Sequence, residues 1–534
     1  MTPRLKKFIK TISVALGVTS IYLFWLIGPL VTSTHDVVYH WSGSPSQLFV
    51  PPILDFCVFW VLLTLVLMVA TGRMRIGIWL AMIGFAPWIE FKTWAYLSGR
   101  SFSHRLSLGL LGIGLVVFLL SFALWRPVFE KSFERVIRFA STLFIFSAIS
   151  GVVILCQYAW FGWLARSVNA EVPMHHAVRG QATQVGRPRV IWILFDELSY
   201  QQIYERRFPG LQLLSFDGLA AQATVFTHTI PAGILTERVL PSLMTGEPID
   251  DIHSSPDGRH VSLHNSHIGA WQQLDEHDTV FQDSLNLGYG TAIAGWFNPY
   301  CRILPDVLDH CFWTFGFSTQ NAMAPRATLR TNLMRPLMQI IGGGLAHRVM
   351  SPFLQIPEMN DISTQQHISD CVALSNASDR ILADESARFV LLHLPVPHPG
   401  GIYSRTTGTF ALRNSSYLDN LALADKLLGH IRSELEKSGQ WDTSTIIIMG
   451  DHSWRMKLFW KSTREWTKEE EIASHGGEFD DRPAYIVKLP GQQTGARIDA
   501  PFAALNTRKL LDALLAQKIR SKEDLAAWVK QAGN

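Results

Sequence analysis

Apolar residues follow two regimes along this chain. Over the first third they form long runs, Phe8–Val31, Pro52–Ala70, Ile76–Leu97, Leu106–Trp125 and Phe139–Trp163. Each is near the roughly 20 residues that a helix needs to cross the hydrocarbon core of a bilayer. From Val190 onward the runs shorten to strand length and alternate with segments of helical period. Val190–Phe195, Thr291–Gly295, Arg388–Leu394, Thr445–Met449 and Ala484–Leu489 are predicted strands. Thr279–Leu287 and Ser416–Lys437 are predicted helices, the latter with Tyr417, Leu421, Ala424, Leu428, Ile431 and Leu435 along one face. The pattern predicts an α-helical membrane domain with five transmembrane helices over residues 1–165, a polar linker over 166–189, and an α/β domain over 190–534.

Composition supports a membrane part. The chain has 534 residues, 48% of them hydrophobic, with a mean hydropathy of +0.15, too apolar for a wholly soluble protein of this size. A net charge of +3, with no basic stretch interleaved with aromatics, argues against a nucleic-acid partner. Arg4, Lys6, Lys7 and Lys10, then Arg73 and Arg75, then Arg126, Lys131, Arg135 and Arg138 fall on one side of the five spans. The positive-inside rule makes that side cytoplasmic. Thr32–Pro51 carries no Lys or Arg, whereas Arg100 and Arg105 run against the pattern. The balance places everything after Trp163 outside the cytoplasm, as in a multi-pass protein of a bacterial inner (plasma) membrane. The first run is longer than the apolar region of a signal peptide and is read as retained. Of five cysteines, Cys57 and Cys156 lie in apolar runs, and Cys301 and Cys311 can form one disulfide in an oxidising compartment.

Three ionisable features in or beside the apolar third have plain readings. Glu90 and Lys92 lie at the outer end of the third span among Trp88, Trp94 and Tyr96, where pairing or snorkelling outweighs a substrate role. The vicinal His175 and His176 belong to the solvated linker rather than to a metal site.

The chemistry is expected at two strand ends. Ile446-Ile447-Ile448-Met449 runs through Gly450 into Asp451-His452, and Val190–Phe195 runs into Asp196-Glu197. In open α/β sheets the ligand crevice lies beyond the carboxyl ends of the strands, so Asp196 and Asp451 can share one crevice. Two carboxylates and the His452 imidazole make the minimum ligand set for a catalytic metal with an open position. Thr236, after the turn at Gly233, reads as a helix cap or as a hydroxyl nucleophile activated by that metal, and both can hold. His393, on a strand, reads as a core histidine or as a group supporting the site.

These residues carry a resemblance. Strand-Asp196, Thr236 with Pro241 after it, His393-Leu394-Pro395-Val396-Pro397-His398-Pro399, Asp451-His452, and Ser474-His475-Gly476 followed by Arg482–Pro490 occur in the order seen in the sulfatase-like branch of the alkaline phosphatase superfamily. With the spans in front, the chain resembles the membrane phosphoethanolamine transferases and lipoteichoic acid synthases. The resemblance implies a central mixed sheet and a divalent metal, zinc first and manganese as the alternative, ligated by Asp196, Thr236, Asp451 and His452. It implies that Thr236 becomes phosphorylated and that His398 and His475 hold the phosphoryl oxygens and assist the leaving or attacking group. Asp196 stands where those transferases usually carry Glu, with Glu197 beside it to share or replace that role. The Thr236 segment lacks the Cys/Ser-x-Pro-x-Arg pattern from which sulfatases make formylglycine, and the polar half has fewer cysteines than the phosphoethanolamine transferases.

The expected activity is transfer of a phosphoryl-alcohol head group, phosphoethanolamine or phosphoglycerol, from a membrane phospholipid donor to an envelope glycan or lipid acceptor through phospho-Thr236. The enzymatic alternative is a membrane-anchored hydrolase of sulfate or phosphate esters, and the non-enzymatic one a glycan-binding domain that has lost its chemistry. The acceptor pocket is expected from the loops Asp251–Trp271 and Phe317–Gln366, the second long enough to contain helices or a lid. Oligomeric state is not legible in the sequence.

Overall fold

The computed structural model describes residues 2–32, 41–97, 127–166, 187–255, 260–316, 328–340, 359–456 and 466–532, together with Tyr39, Val116, Trp460 and Lys461. The chain divides into two units, one of Met1–Val37, Ser44–Arg166 and Ser318–Ile356, the other of Val38–Gly43, Ser167–Phe317 and Pro357–Asn534.

The first unit is helical, with α1 Pro3–Thr32, α2 Pro45–Val69, α3 Gly72–Leu97 and α4 Pro127–Ala165. Val14 and Val18 of α1, Trp79 and Met82 of α3, and Ile137, Ala140 and Phe144 of α4 form its core. α1 and α4 touch through small residues: a Cβ on Gly17 would fall 1.6 Å from the carbonyl oxygen of Phe144. Burial is inverted relative to a soluble bundle, because Val58, Leu62 and Leu65 of α2 and Phe139, Phe146 and Ile149 of α4 are exposed.

Helices cover four of the five apolar runs, and among the described residues two rather than five are long and apolar enough to cross a membrane, Pro45–Val69 and Phe133–Ala165. The side chains of residues 23–32 of α1 and 85–97 of α3 lie outside the described residues. The run Leu106–Trp125, apart from Val116, lies outside the described residues, as do His175, His176 and the side chains of Glu90 and Lys92. Helix α4 begins a dozen residues before the apolar run, its polar entry carrying Glu134, which pairs with Arg75 at 2.8 Å.

The second unit is built on an eight-stranded sheet. Its strands are β1 Val190–Phe195, β2 Thr224–Phe226, β3 Gly290–Trp296, β4 His310–Thr314, β5 Ala387–Leu394, β6 Thr445–Gly450, β7 Tyr485–Lys488 and β8 Ala496–Ile498. They lie in the order β8-β2-β7-β6-β1-β5-β3-β4. The five from β6 to β4 are parallel, while β7 runs antiparallel to both β6 and β2, so the sheet is mixed. Every residue of β1 and β6 is buried, which is why both read as unbroken apolar runs rather than as alternation. Their side chains alternate between two cores. Ile191, Ile193 and Phe195 meet Leu421, Leu428 and Ile431 of α7, Tyr417–Lys437, whereas Val190, Trp192 and Leu194 meet Val239, Leu240 and Leu243 of α5, Thr236–Thr245. The long helix α6, Met359–Ala383, packs on the first of these faces through Cys371, Leu374 and Ala377.

The predicted strands and helices are present within about two residues of their expected ends. Ser416 caps α7 in a reciprocal pair with Asp419, and Thr279 precedes the helix Val280–Asn286. The segment Asp251–Trp271 is not a loop. It lies in an antiparallel meander of Ile249–Ser254, Val261–Asn265 and Ala270–Gln273, with Ile252, Val261 and Leu263 turned inward. Of Phe317–Gln366, the described part contains the helix Leu329–Ile340 and the start of α6. Cys301 and Cys311 are bonded, joining the one-turn helix Tyr300–Ile303 to β4.

Candidate active site

Strand register places the chemistry. Phe195 pairs with Gly450 across β1 and β6, so the next residues, Asp196 and Asp451, leave the same sheet edge side by side. Gly450 is required there, since a Cβ would come 2.5 Å from the Leu198 carbonyl oxygen where the chain turns after β1. Helix α5 starts against this edge, and its first residue is Thr236. Thr236 Oγ1 lies 3.1 Å from Asp196 Oδ2, 2.7 Å from Asp451 Oδ2 and 3.3 Å from His452 Nε2. His452 Nε2 is in turn 3.1 Å from Asp451 Oδ2. All four side chains are buried.

The electrostatics of this cluster are those of a cation site. Burial, then the neighbouring carboxylates Asp451 and Glu197, pushes the Asp196 carboxyl well above the usual range, and burial raises that of Asp451. Burial also lowers His452 to about 3, so its imidazole is neutral. Its Nδ1 faces the Ser453 carbonyl oxygen at 3.1 Å, which leaves the Nε2 lone pair toward the carboxylates. Asp196 Oδ1 is buried with no hydrogen-bond partner. Asp196, Asp451 and His452 offer ligand atoms within 4.8 Å of one another. Ligands about 2.1 Å from a tetrahedral ion stand about 3.4 Å apart, so this donor set, with its orphaned oxygen, fits a divalent cation.

Glu197 has a different environment. Its backbone takes φ +63°, an uncommon conformation for a side chain of this size. Its amide donates to Asp451 Oδ1 at 2.9 Å, while its carboxylate receives Arg455 Nε at 2.7 Å, the Arg455 amide at 3.2 Å and Trp460 Nε1 at 3.0 Å. Arg455 Nη1 also donates to the Ile234 carbonyl just before α5, tying the Thr236 helix to the same anchor.

The histidines divide. His398 is nearly buried, with Nε2 4.0 Å from Glu197 Oε1 and its ring between Trp296 and Trp460, and Asn420 holds its backbone carbonyl. His393 is fully buried and takes a 2.7 Å hydrogen bond between Nδ1 and the Tyr300 hydroxyl; burial lowers it to about 4. His475 is exposed on the turn after the helix Lys468–Ala473, at φ +49°. The structure therefore brings Asp196, Thr236, Asp451 and His452 together, sets Glu197 and His398 beside them, and leaves His475 on the surface. Arg455, Trp460 and Tyr300 were not anticipated from the sequence. Arg455 did carry a signal, a cation four residues after Asp451 on the same strand-end turn.

A family model described as sulfatase matches residues 188–485, more than half of the chain. No curated protein matches the sequence. Similar solved structures include Ps i-CgsB in complex with k-i-k-neocarrahexaose, at 16% identity and a TM-score of 0.38, covering 64% of this chain and 74% of that one. The phosphonate monoester hydrolase of Agrobacterium radiobacter matches at 14% identity and 0.35, covering 62% and 74%. The PsFucS1 sulfatase from Pseudoalteromonas sp. matches at 12% and 0.39, covering 62% and 69%. At such scores these likenesses carry no argument about activity.

Proposed function

The chain belongs to the sulfatase family, and from that premise we propose that it is a metal-dependent transferase that moves a phosphoryl-alcohol head group, phosphoethanolamine or phosphoglycerol, from a membrane phospholipid to an envelope glycan or lipid. One observation carries the reading: the Thr236 hydroxyl stands within 3.3 Å of Asp196, Asp451 and His452 together. A threonine cannot become formylglycine, so the oxygen itself is the nucleophile. The exposed apolar faces of α2 and α4 support a donor held in a bilayer and a multi-pass location, and the Cys301–Cys311 crosslink supports a catalytic unit outside the cytoplasm.

In the proposed reaction Thr236 Oγ1, an alkoxide whose proton has gone to solvent before the donor binds, attacks the donor phosphorus. The bond from phosphorus to the diacylglycerol oxygen breaks, and diacylglycerol leaves as the alcohol after taking up a proton from His398. An acceptor hydroxyl then attacks phospho-Thr236 in line and gives its proton to His398, replacing the one donated, while the bond from phosphorus to Thr236 Oγ1 breaks and releases Thr236 again as the alkoxide. A divalent cation, zinc or manganese, held by Asp196, Thr236, Asp451 and His452 supplies the charge that favours the alkoxide and the phosphoryl oxygens. His475 is the second proposed partner of those oxygens.

The test is turnover of the full chain, loaded with zinc or manganese, in vesicles containing phosphatidylethanolamine and phosphatidylglycerol with a soluble glycoside as acceptor. Diacylglycerol release matched by head group on the glycoside supports transfer. Free head group, or fast hydrolysis of soluble sulfate or phosphate esters with no lipid turnover, would replace it with the hydrolase reading.

A further inference from the structure

Three consecutive residues of the one-turn helix Tyr300–Ile303 reach in three directions. The Tyr300 hydroxyl meets His393 Nδ1 at 2.7 Å. Cys301 is crosslinked to Cys311 on β4. Arg302 donates to the carbonyl oxygens of Tyr39 at 3.2 Å and Trp41 at 3.4 Å, and its guanidinium lies over the Trp313 ring at 5.1 Å. The segment it holds, Val38–Gly43, belongs to the catalytic unit although it precedes α2 in the chain. Tyr39 and Trp41 are buried there, the Tyr39 hydroxyl donating to Asn298 Oδ1 at 3.4 Å and Ser42 Oγ to the Phe315 carbonyl oxygen at 2.5 Å.

His393 is the group this construction serves. It is the penultimate residue of β5, level with Leu194 of β1, one residue before the strand-end chemistry. Its ring is fully buried, yet Nε2 has no hydrogen-bond partner. Asp451 and His452 act electrostatically on this ring, so it belongs to the same site. In an imidazole the bond made by one nitrogen decides the state of the other. A buried nitrogen left without a partner is costly unless something meets it during the working cycle.

We propose that Tyr300 is a positioning residue that fixes the ring orientation and tautomer of His393, so that His393 Nε2 meets an oxygen of the group held on Thr236. The Cys301–Cys311 crosslink and the Arg302 hold on the Tyr39–Ser42 segment keep Tyr300 in place. The identity of that group rests on the transferase reading; the geometry does not.

The test uses the full chain with zinc and compares wild type, Tyr300→Phe, His393→Gln and the double variant. Two readouts are taken, turnover in the vesicle assay and affinity for inorganic phosphate by calorimetry. Tyr300→Phe should lower kcat by about tenfold or more with little change in KM, and weaken phosphate binding. In the His393→Gln background the same change should cost less than about twofold in either readout, because a residue acting through His393 has nothing left to position. Arg302→Met, which frees the segment without touching His393, should give a smaller loss that also vanishes in that background, and it serves if Tyr300→Phe does not fold. Losses that multiply independently would overturn the inference, as would His393→Gln behaving like wild type or zinc-loaded wild type failing to bind phosphate. If no ester is turned over but phosphate affinities follow the expected pattern, the transferase reading fails and the positioning role stands.

Discussion

Asp196 and Glu197 are neighbours in the chain and opposites in the fold. Asp196 enters a cluster in which two carboxylates and a neutral imidazole crowd one hydroxyl, with an oxygen left unsatisfied and the carboxyl pushed up by burial. Glu197, turned away by its positive φ, has its carboxylate bound by Arg455 and Trp460. The first environment leaves a buried oxygen unsatisfied and fits a cation, whereas the second satisfies its carboxylate within the chain. Buried groups that satisfy each other make structure, and buried groups that cannot do so await a ligand.

Removing chemistry from the incomplete side has the largest expected effect. Thr236→Ala or Asp451→Asn should lower kcat/KM by about a thousandfold or more while far-ultraviolet circular dichroism stays unchanged. An Asp451→Asn protein with near-native turnover would dissolve the contrast.

The complete side should answer in stability instead. Glu197→Ala leaves the Arg455 guanidinium buried without its partner, and Arg455→Met does the same to Glu197. Either should destabilise the protein by about 3–5 kcal/mol in denaturant unfolding, and Glu197→Ala combined with Arg455→Met by less than the sum.

Proton linkage sharpens the comparison further. Because burial raises the Asp196 and Asp451 carboxyls, and the neighbouring carboxylates raise that of Asp196 further, the metal-free cluster keeps protons that ordinary carboxylates would have lost, and metal binding must expel them. Zinc affinity should therefore fall as pH falls, by about tenfold per pH unit for each proton released. Calorimetry in buffers of different ionisation enthalpy measures that number, and an affinity independent of pH would contradict the assignment. The smallest expected effect lies at the edge of the complete side. Ser416→Ala removes the cap of α7, whose Tyr417 donates to the Glu197 carbonyl, and should cost about 1 kcal/mol in stability with turnover unchanged.

How much of this was legible follows from where the determinants lie. β1 and β6 could be read because each is a buried run ending in an acid, and the period of α7 could be read because one face meets the sheet. The convergence of Asp196, Thr236, Asp451 and His452 was expected from strand-end logic and the family resemblance; the register that sets Phe195 against Gly450 is seen only in the fold. Glu197 was ambiguous because a carboxylate beside a ligand has the same sequence whether it faces a metal or an arginine, and only its backbone torsion decides. Tyr300 left no signal, since its bond to His393 spans distant parts of the chain. β2 and β8, three residues each, are too short to show alternation, and the meander around Ile252 hides its apolar positions among polar ones. In the first unit, length and hydropathy suggest five spans, and among the described residues two helices pass the same test.

The central claim is that Thr236, held among Asp196, Asp451 and His452, carries the transferred group covalently. The direct measurement is intact-protein mass after the zinc- or manganese-loaded chain has been incubated with phosphatidylethanolamine and phosphatidylglycerol, beside the Thr236→Ala variant. The account predicts a mass increment equal to one phosphoryl-alcohol head group, located on Thr236 by peptide fragmentation and absent from the variant. An adduct on another residue, or diacylglycerol release by the variant at the wild-type rate, would contradict it.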